Sequence, residues 1–112
     1  MTILDFETSE RADQVVVALR GELDLSTTDK VDRELRRVEE IDPPLLVLDL
    51  SGLTFLDSTG LRLIVTADQR ARQAARRLAI VKGPATVQRV FSITKLDERL
   101  DMVDDASGLS AG

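Results

Sequence analysis

Residues 45–50, Leu-Leu-Val-Leu-Asp-Leu, form a nearly unbroken apolar run. Pro43-Pro44 closes it on one side and Ser51-Gly52 on the other. A run this short, with neither helical spacing nor strict alternation, reads as a central strand covered on both faces. The rest of the chain must supply neighbouring strands and covering layers.

The flanking segments have those periods. Residues 2–8 alternate loosely and end in a polar stretch, Ser9 to Gln14. Val15, Val17, Leu19, Gly21 and Leu23 then repeat with period two. Two strands joined by so short a connection form an N-terminal antiparallel hairpin. Gly21 marks a bulge or a close backbone approach. Ser26, with Asp29 three residues on, reads as a capping-box variant that opens a helix carrying Val31, Leu35 and Val38. That helix stops by Asp42, because Pro43 and Pro44 cannot continue it.

After the apolar strand, Gly52 to Leu56 reads as a short link and Asp57 as the N-cap of a second helix. Leu61, Ile64, Val65, Ala71, Ala75 and Leu78 are expected on its buried face. Arg70, Arg72, Arg76 and Arg77 are expected on a solvated face near its C-terminal end. Leu63 falls off the apolar stripe and is expected to be exposed. Leu78 to Val81 is a further strand, Pro84 opens a third helix with Val87, Val90 and Phe91 inward, and Leu100 to Val103 is a last short strand. The order β-β-α-β-α-β-α-β predicts an α/β fold: a mixed, mostly parallel sheet of four to five strands with helices packed against it. One domain is expected over 1–105, with a frayed tail at 106–112.

Composition removes whole classes of chemistry. The chain has no cysteine and no histidine, so a Cys/His zinc site, a thiol nucleophile and a Ser-His-Asp triad are excluded. A net charge of −5 argues against nucleic acid as a partner, because that affinity rests on clustered Lys/Arg. No apolar run approaches the ~20 residues of a membrane span, and Met1 to Glu10 lacks a signal-peptide layout. A cytoplasmic protein without cofactor or metal is expected. Neither Walker A nor Gly-x-Gly-x-x-Gly occurs. Asp57-Ser-Thr-Gly60 places its Gly three residues after the Asp, one too many for an aspartic protease half-site. A receiver domain would open with a strand-helix unit rather than two strands. A Ser58 hydrolase would need Lys82 or Lys95 as base, with nothing to place either nearby.

The informative segment is therefore Asp57-Ser58-Thr59-Gly60, between the most apolar strand and the second helix. Loops at the carboxyl ends of such strands carry the sites of α/β folds. Asp57 can cap the helix through the N–H of Thr59 or Gly60. Gly60 is a poor helix former, by about 1 kcal/mol against Ala. It marks either a close approach or an incidental glycine. Asp49, within the apolar strand, is expected to bond to neighbouring backbone.

Leu48-Asp-Leu-Ser-Gly-Leu-Thr-Phe-Leu-Asp-Ser-Thr-Gly-Leu61 strongly resembles the signature of STAS-domain anti-sigma factor antagonists. Gly21-Glu-Leu-Asp24 and Val87-Gln-Arg-Val-Phe-Ser-Ile-Thr-Lys-Leu-Asp97 resemble two further segments, in the same order, so the likeness spans about residues 2–105. The resemblance implies a STAS-like fold and a binding module without catalysis of its own. Unmodified, it would bind an anti-sigma factor, a GHKL-type serine kinase, and release a sigma factor. Phosphorylation at Ser58 would end binding, and a PP2C-type phosphatase would reverse it. Asp57, Thr59 and Gly60 would support the phosphosite. Asp24, Ser26, Arg62 and Leu63 would be candidates for partner contact, Asp24 being equally readable as a turn acid. A weak homodimer stays open. The family often has Gly where this chain has Arg62, and Ser where it has Thr59. The alternative is a STAS scaffold or regulatory subunit of a stress-signalling assembly or of a lipid or anion transporter.

Overall fold

The computed structural model describes residues 3–109. Strands β1 (Leu4–Glu10) and β2 (Gln14–Leu23) form the N-terminal hairpin. They are followed by α1 (Thr28–Ile41), β3 (Leu45–Leu56), α2 (Ser58–Gln73), β4 (Arg77–Val81), α3 (Ala85–Ile93), a 3-10 turn (Leu96–Glu98) and β5 (Met102–Val103). The five strands lie in the order β1-β2-β3-β4-β5. β1 is antiparallel to β2, and all other pairs are parallel. The architecture is the expected mixed sheet with an N-terminal hairpin.

Four parallel strands laid down in chain order, joined by crossovers of one hand, put every helix on the same face. Accordingly Val31, Leu35 and Val38 of α1, Leu63, Ile64 and Ala67 of α2, and Val87 and Phe91 of α3 share one core with Leu46, Leu48 and Leu50 of β3. The other face of β3 and β4 presents Leu45, Val47, Ala79 and Val81, with Val16, Val103 and Leu109 packed against them. β3 is thus buried on both faces, which explains its unbroken apolar run. Leu109 places part of the tail on this second face. Residues 110–112, where fraying was also expected, lie outside the described residues.

β3 runs six residues further than the run predicts. The segment 52–56 is not a link but strand, paired with β2 through Leu53↔Gly21, Phe55↔Glu22 and Leu56↔Leu23. Two register shifts accommodate the extension, and such bulges erase the period-two signal. Gly21 adjoins one of these shifts, has φ 108°, a conformation that L side chains rarely adopt, and a Cβ on it would collide with the Ile3 carbonyl oxygen, so it marks both a bulge and a close backbone approach.

α1 starts one residue later than expected. Its N-cap is Thr27, without a side-chain cap bond, and Ser26 does not cap it. Thr27 is instead buried, accepting from the Asp24 N–H at 3.0 Å and donating to the Glu22 carbonyl at 2.9 Å. α2 ends at Gln73, so Ala75 is exposed and Leu78 belongs to β4. Its buried stripe is Gly60, Leu63, Ile64, Ala67 and Ala71, while Leu61 and Val65 are half-buried.

Of the four arginines only Arg72 lies on a solvated face; the other three are drawn into contacts with neighbouring elements. Arg70 clamps Glu39 of α1 with two bonds of 2.8 Å. Arg72 donates to Asp68 and to the Arg99 carbonyl, both at 2.8 Å. Arg76, with a side chain only 7% exposed, reaches Asp42 and the Pro43 carbonyl. Arg77 sits on β4 and pairs with Asp101. Charged side chains as covered as those of Arg70 and Arg76 need such partners.

Candidate functional site

β2 and β3 end side by side, with Leu23 opposite Leu56. Both following segments therefore emerge at the carboxyl edge of the sheet, where α/β folds place their sites.

Asp57 ties the two segments together. Its Oδ1 accepts from the Gly60 N–H at 2.9 Å, the predicted N-cap of α2. Its Oδ2 accepts from the Leu25 N–H at 3.2 Å. Its own N–H donates to the Leu23 carbonyl at 3.2 Å, and its carbonyl takes the first helical bond from the Leu61 N–H at 3.0 Å. One side chain thus orients α2 and the β2–α1 loop together.

That loop is an Asx turn built by Asp24. Its Oδ1 accepts from the Ser26 N–H at 2.9 Å and the Ser26 hydroxyl at 2.7 Å. The backbone N–H groups of Thr27 and Thr28 donate to its carbonyl. This is the turn-acid reading of Asp24. It also brings Ser26 to the same edge as Asp57.

Gly60 marks a close approach within the fold, not to a ligand. A Cβ there would stand 2.7 Å from Leu56 Cδ1, 2.8 Å from Leu23 Cγ and 2.9 Å from the Leu23 carbonyl oxygen. The first turn of α2 rests directly on the ends of β2 and β3, and only a glycine fits.

Ser58 is the first residue of α2 and is exposed. Its hydroxyl has no hydrogen-bond partner among the described residues. Gly60 and Leu61 have their N–H groups on Asp57, whereas those of Ser58 and Thr59 lack intrahelical acceptors, as at any helix start. Thr59 is half-buried and Arg62 exposed. They line a groove of about 250 Å³ between α1 and α2, with Thr28, Asp29, Asp32, Arg36, Leu63 and Thr66. Leu63, expected to be exposed, is only 9% exposed and belongs to the core. The stripe facing the sheet starts from Gly60 rather than Leu61, which rotates Leu63 inward.

A second, open groove of about 620 Å³ is lined by Asp24, Leu25, Ser26, Phe55 and Asp57. Leu25 is 75% and Phe55 46% exposed. Sequence reasoning missed both. Leu25 continues the period of β2 and so reads as buried, but the strand ends at Leu23. Phe55 lies in the bulged extension of β3, where periodicity fails. A separate cleft of about 360 Å³ beside Leu96 and Leu100 involves none of these residues. Asp49 bonds locally, accepting from the Ser51 N–H at 2.9 Å. Among the described residues no group of acids could hold a metal ion, and no helix is long and apolar enough to cross a membrane.

Residues 4–107 match the family model of the STAS domain. The chain belongs to the STAS domain family. This STAS domain is 33% identical over 75 residues to osmosensory protein A of Mycobacterium tuberculosis, a match covering 67% of the chain but 47% of that relative, about half its length. It is 29% identical over 100 residues to the anti-sigma-B factor antagonist of Listeria monocytogenes, covering 88% of each. The crystal structure of an anti-sigma factor antagonist from Mycobacterium paratuberculosis superposes with a TM-score of 0.83 at 27% identity, covering 93% of this chain and 88% of that one. Within the matched residues, Asp57 and Gly60 join β2, β3 and α2 at the carboxyl edge.

Proposed function

We propose that this STAS domain is a cytoplasmic anti-sigma factor antagonist whose binding is switched off by phosphorylation of Ser58. The observation that carries the reading is the position of Ser58. It is an exposed, unbonded hydroxyl at the start of α2, next in the chain to Asp57, which lines the groove that exposes Leu25 and Phe55. The names of the Listeria relative and of the Mycobacterium paratuberculosis structure support it. The partner is an anti-sigma factor of the GHKL serine-kinase type, and a PP2C-type phosphatase resets the switch. The chain itself is substrate, not enzyme.

In the phosphorylation step the Ser58 hydroxyl oxygen forms a bond to the γ-phosphorus of ATP. The bond to the β-phosphate oxygen breaks, ADP leaves, and the hydroxyl proton is lost. The phosphoserine carries about −1.5 to −2 charges at pH 7. A helix start tolerates such an anion, since dipole and free N–H groups favour it, so the fold survives. Asp57 adds like-charge repulsion, and both its oxygens are already committed to backbone N–H groups. In a closed interface, a desolvated charge without a partner costs several kcal/mol. About 4 kcal/mol weakens binding roughly a thousandfold. Switching is therefore local.

The test is phosphopeptide mapping after incubation with ATP and the kinase retained by the unmodified protein. Modification at Ser58, with an unchanged circular dichroism spectrum, is expected. Modification elsewhere, or loss of the helical signal, overturns the reading.

A further inference from the structure

We infer that Arg62 is a built-in clasp for the phosphate on Ser58, holding the phosphorylated state in a defined, partly neutralised form. The inference rests on the reading of Ser58 as phosphoacceptor and goes beyond it by naming the residue that receives the phosphate.

Three observations carry it. First, Ser58 and Arg62 lie four residues apart on α2. Residues at this spacing share one helix face, with Cβ atoms about 5–6 Å apart, and an acid preceding a cation is the favourable order. Helical side chains lean toward the N-terminus, so an arginine at 62 covers the turn that holds residue 58.

Second, Arg62 is exposed and makes no hydrogen bond or ion pair among the described residues. The other arginines of α2 are occupied. Arg70 is held by Glu39 and Asp32, and Arg72 by Asp68. Across the groove Arg36 is engaged with Asp32 at 3.0 Å. Asp57, the acid nearest the helix start, has both oxygens on backbone N–H groups. Arg62 is a guanidinium held in reserve.

Third, the helix dipole gives a cation at this end of α2 no stabilisation, since cations are favoured near the C-terminus. The place becomes favourable once a dianion sits at Ser58. A guanidinium matches phosphate geometry through paired N–H donors, and the N–H groups of Ser58 and Thr59 supply further donors. The phosphate would thus be drawn toward the Thr59–Arg62 side of the helix start.

The test uses full-length protein carrying phosphoserine at 58, introduced by genetic encoding so that no kinase is needed. The second ionisation of the phosphate is followed by phosphorus-31 NMR in the wild type, Arg62→Gln and Arg62→Lys. Asp29, Asp32, Arg36 and Asp57 are common to all three and cancel in the differences. A clasp predicts that the wild-type phosphate ionises about half a pH unit or more below that of Arg62→Gln, with Arg62→Lys between, since an opposite charge within reach favours the charged form. The gap should close in about 1 M salt, where the screening length is only ~3 Å. Equal midpoints in wild type and Arg62→Gln overturn the clasp. Arg62 is exposed, so the variants keep the fold, which circular dichroism verifies. Failure of Ser58 as the cellular phosphosite would appear in phosphopeptide mapping and leave this titration untouched, so the two failures are distinguishable.

Discussion

Replacing Gly60 by alanine sets two effects of opposite sign against each other. Helix propensity favours Ala over Gly by about 1 kcal/mol, so an exposed glycine in α2 would gain stability from the change. At Gly60 the new methyl meets three atoms closer than 3.0 Å. Two belong to Leu23 and Leu56, side chains that are 0% and 6% exposed and have nowhere to turn. The third is the Leu23 carbonyl oxygen, which also accepts the Asp57 N–H, so moving it disturbs the cap of α2. Overpacking of a filled core costs about 1–3 kcal/mol, sometimes more. With three such contacts at once, one of them backbone, the penalty falls in the upper part of that range, about 2–3 kcal/mol, so Gly60→Ala should lose about 1–2 kcal/mol net. In urea unfolding this appears as a lower midpoint at unchanged slope, and on heating as a fall of roughly 4–8 °C per kcal/mol. A Gly60→Ala protein as stable as the wild type, or more so, refutes the close-approach argument.

Other perturbations follow from the same geometry. Asp57→Ala removes the cap of α2 and the acceptor for Leu25, and should cost about 0.5–2 kcal/mol; Asp57→Asn, retaining one acceptor oxygen, should fall between. Amide exchange at Gly60 and Leu25 should accelerate in the alanine variant, and unchanged exchange there would contradict the tie. Glu34 is held below the ordinary carboxylate range, first by its hydrogen bonds from Arg37, against the opposing effect of burial, and then by the Thr8 hydroxyl and the Arg37 charge. Its folded-state ionisation lies below the unfolded one, so its contribution is full above the unfolded carboxylate range and is lost as pH falls through the folded value. The stability difference between wild type and Glu34→Gln should therefore shrink on acidification from pH 7 toward pH 3; a constant difference would show that the carboxylate's charge does not matter.

What could be read from sequence, and what could not, divides along physical lines. The central strand, the hairpin, the Asp57 cap and the stop of α1 before Pro43 each follow from local chemistry. The errors are all tertiary. Thr27 starts α1 because its hydroxyl is buried between the Asp24 N–H and the Glu22 carbonyl, a geometry that a capping pattern around Ser26 does not contain. Arg70 and Arg76 look like surface charges until α1 and the Pro43 carbonyl are placed beside them. Leu63 turns inward because Gly60 lets α2 settle on the strand ends. Leu25 and Phe55 escape notice because a strand end and a bulge break the alternation that would classify them. The serine is legible as a motif. Its apolar neighbours emerge only when the two strand ends meet.

The most direct test of the central claim is paired affinity capture from the source organism's lysate with Ser58→Ala and Ser58→Glu as baits. The account predicts a GHKL-type kinase retained by the alanine form and lost from the glutamate form, with both baits equally folded. The same partners on both baits, transporter or scaffold subunits among them, would contradict it and make Ser58 a structural residue rather than a switch.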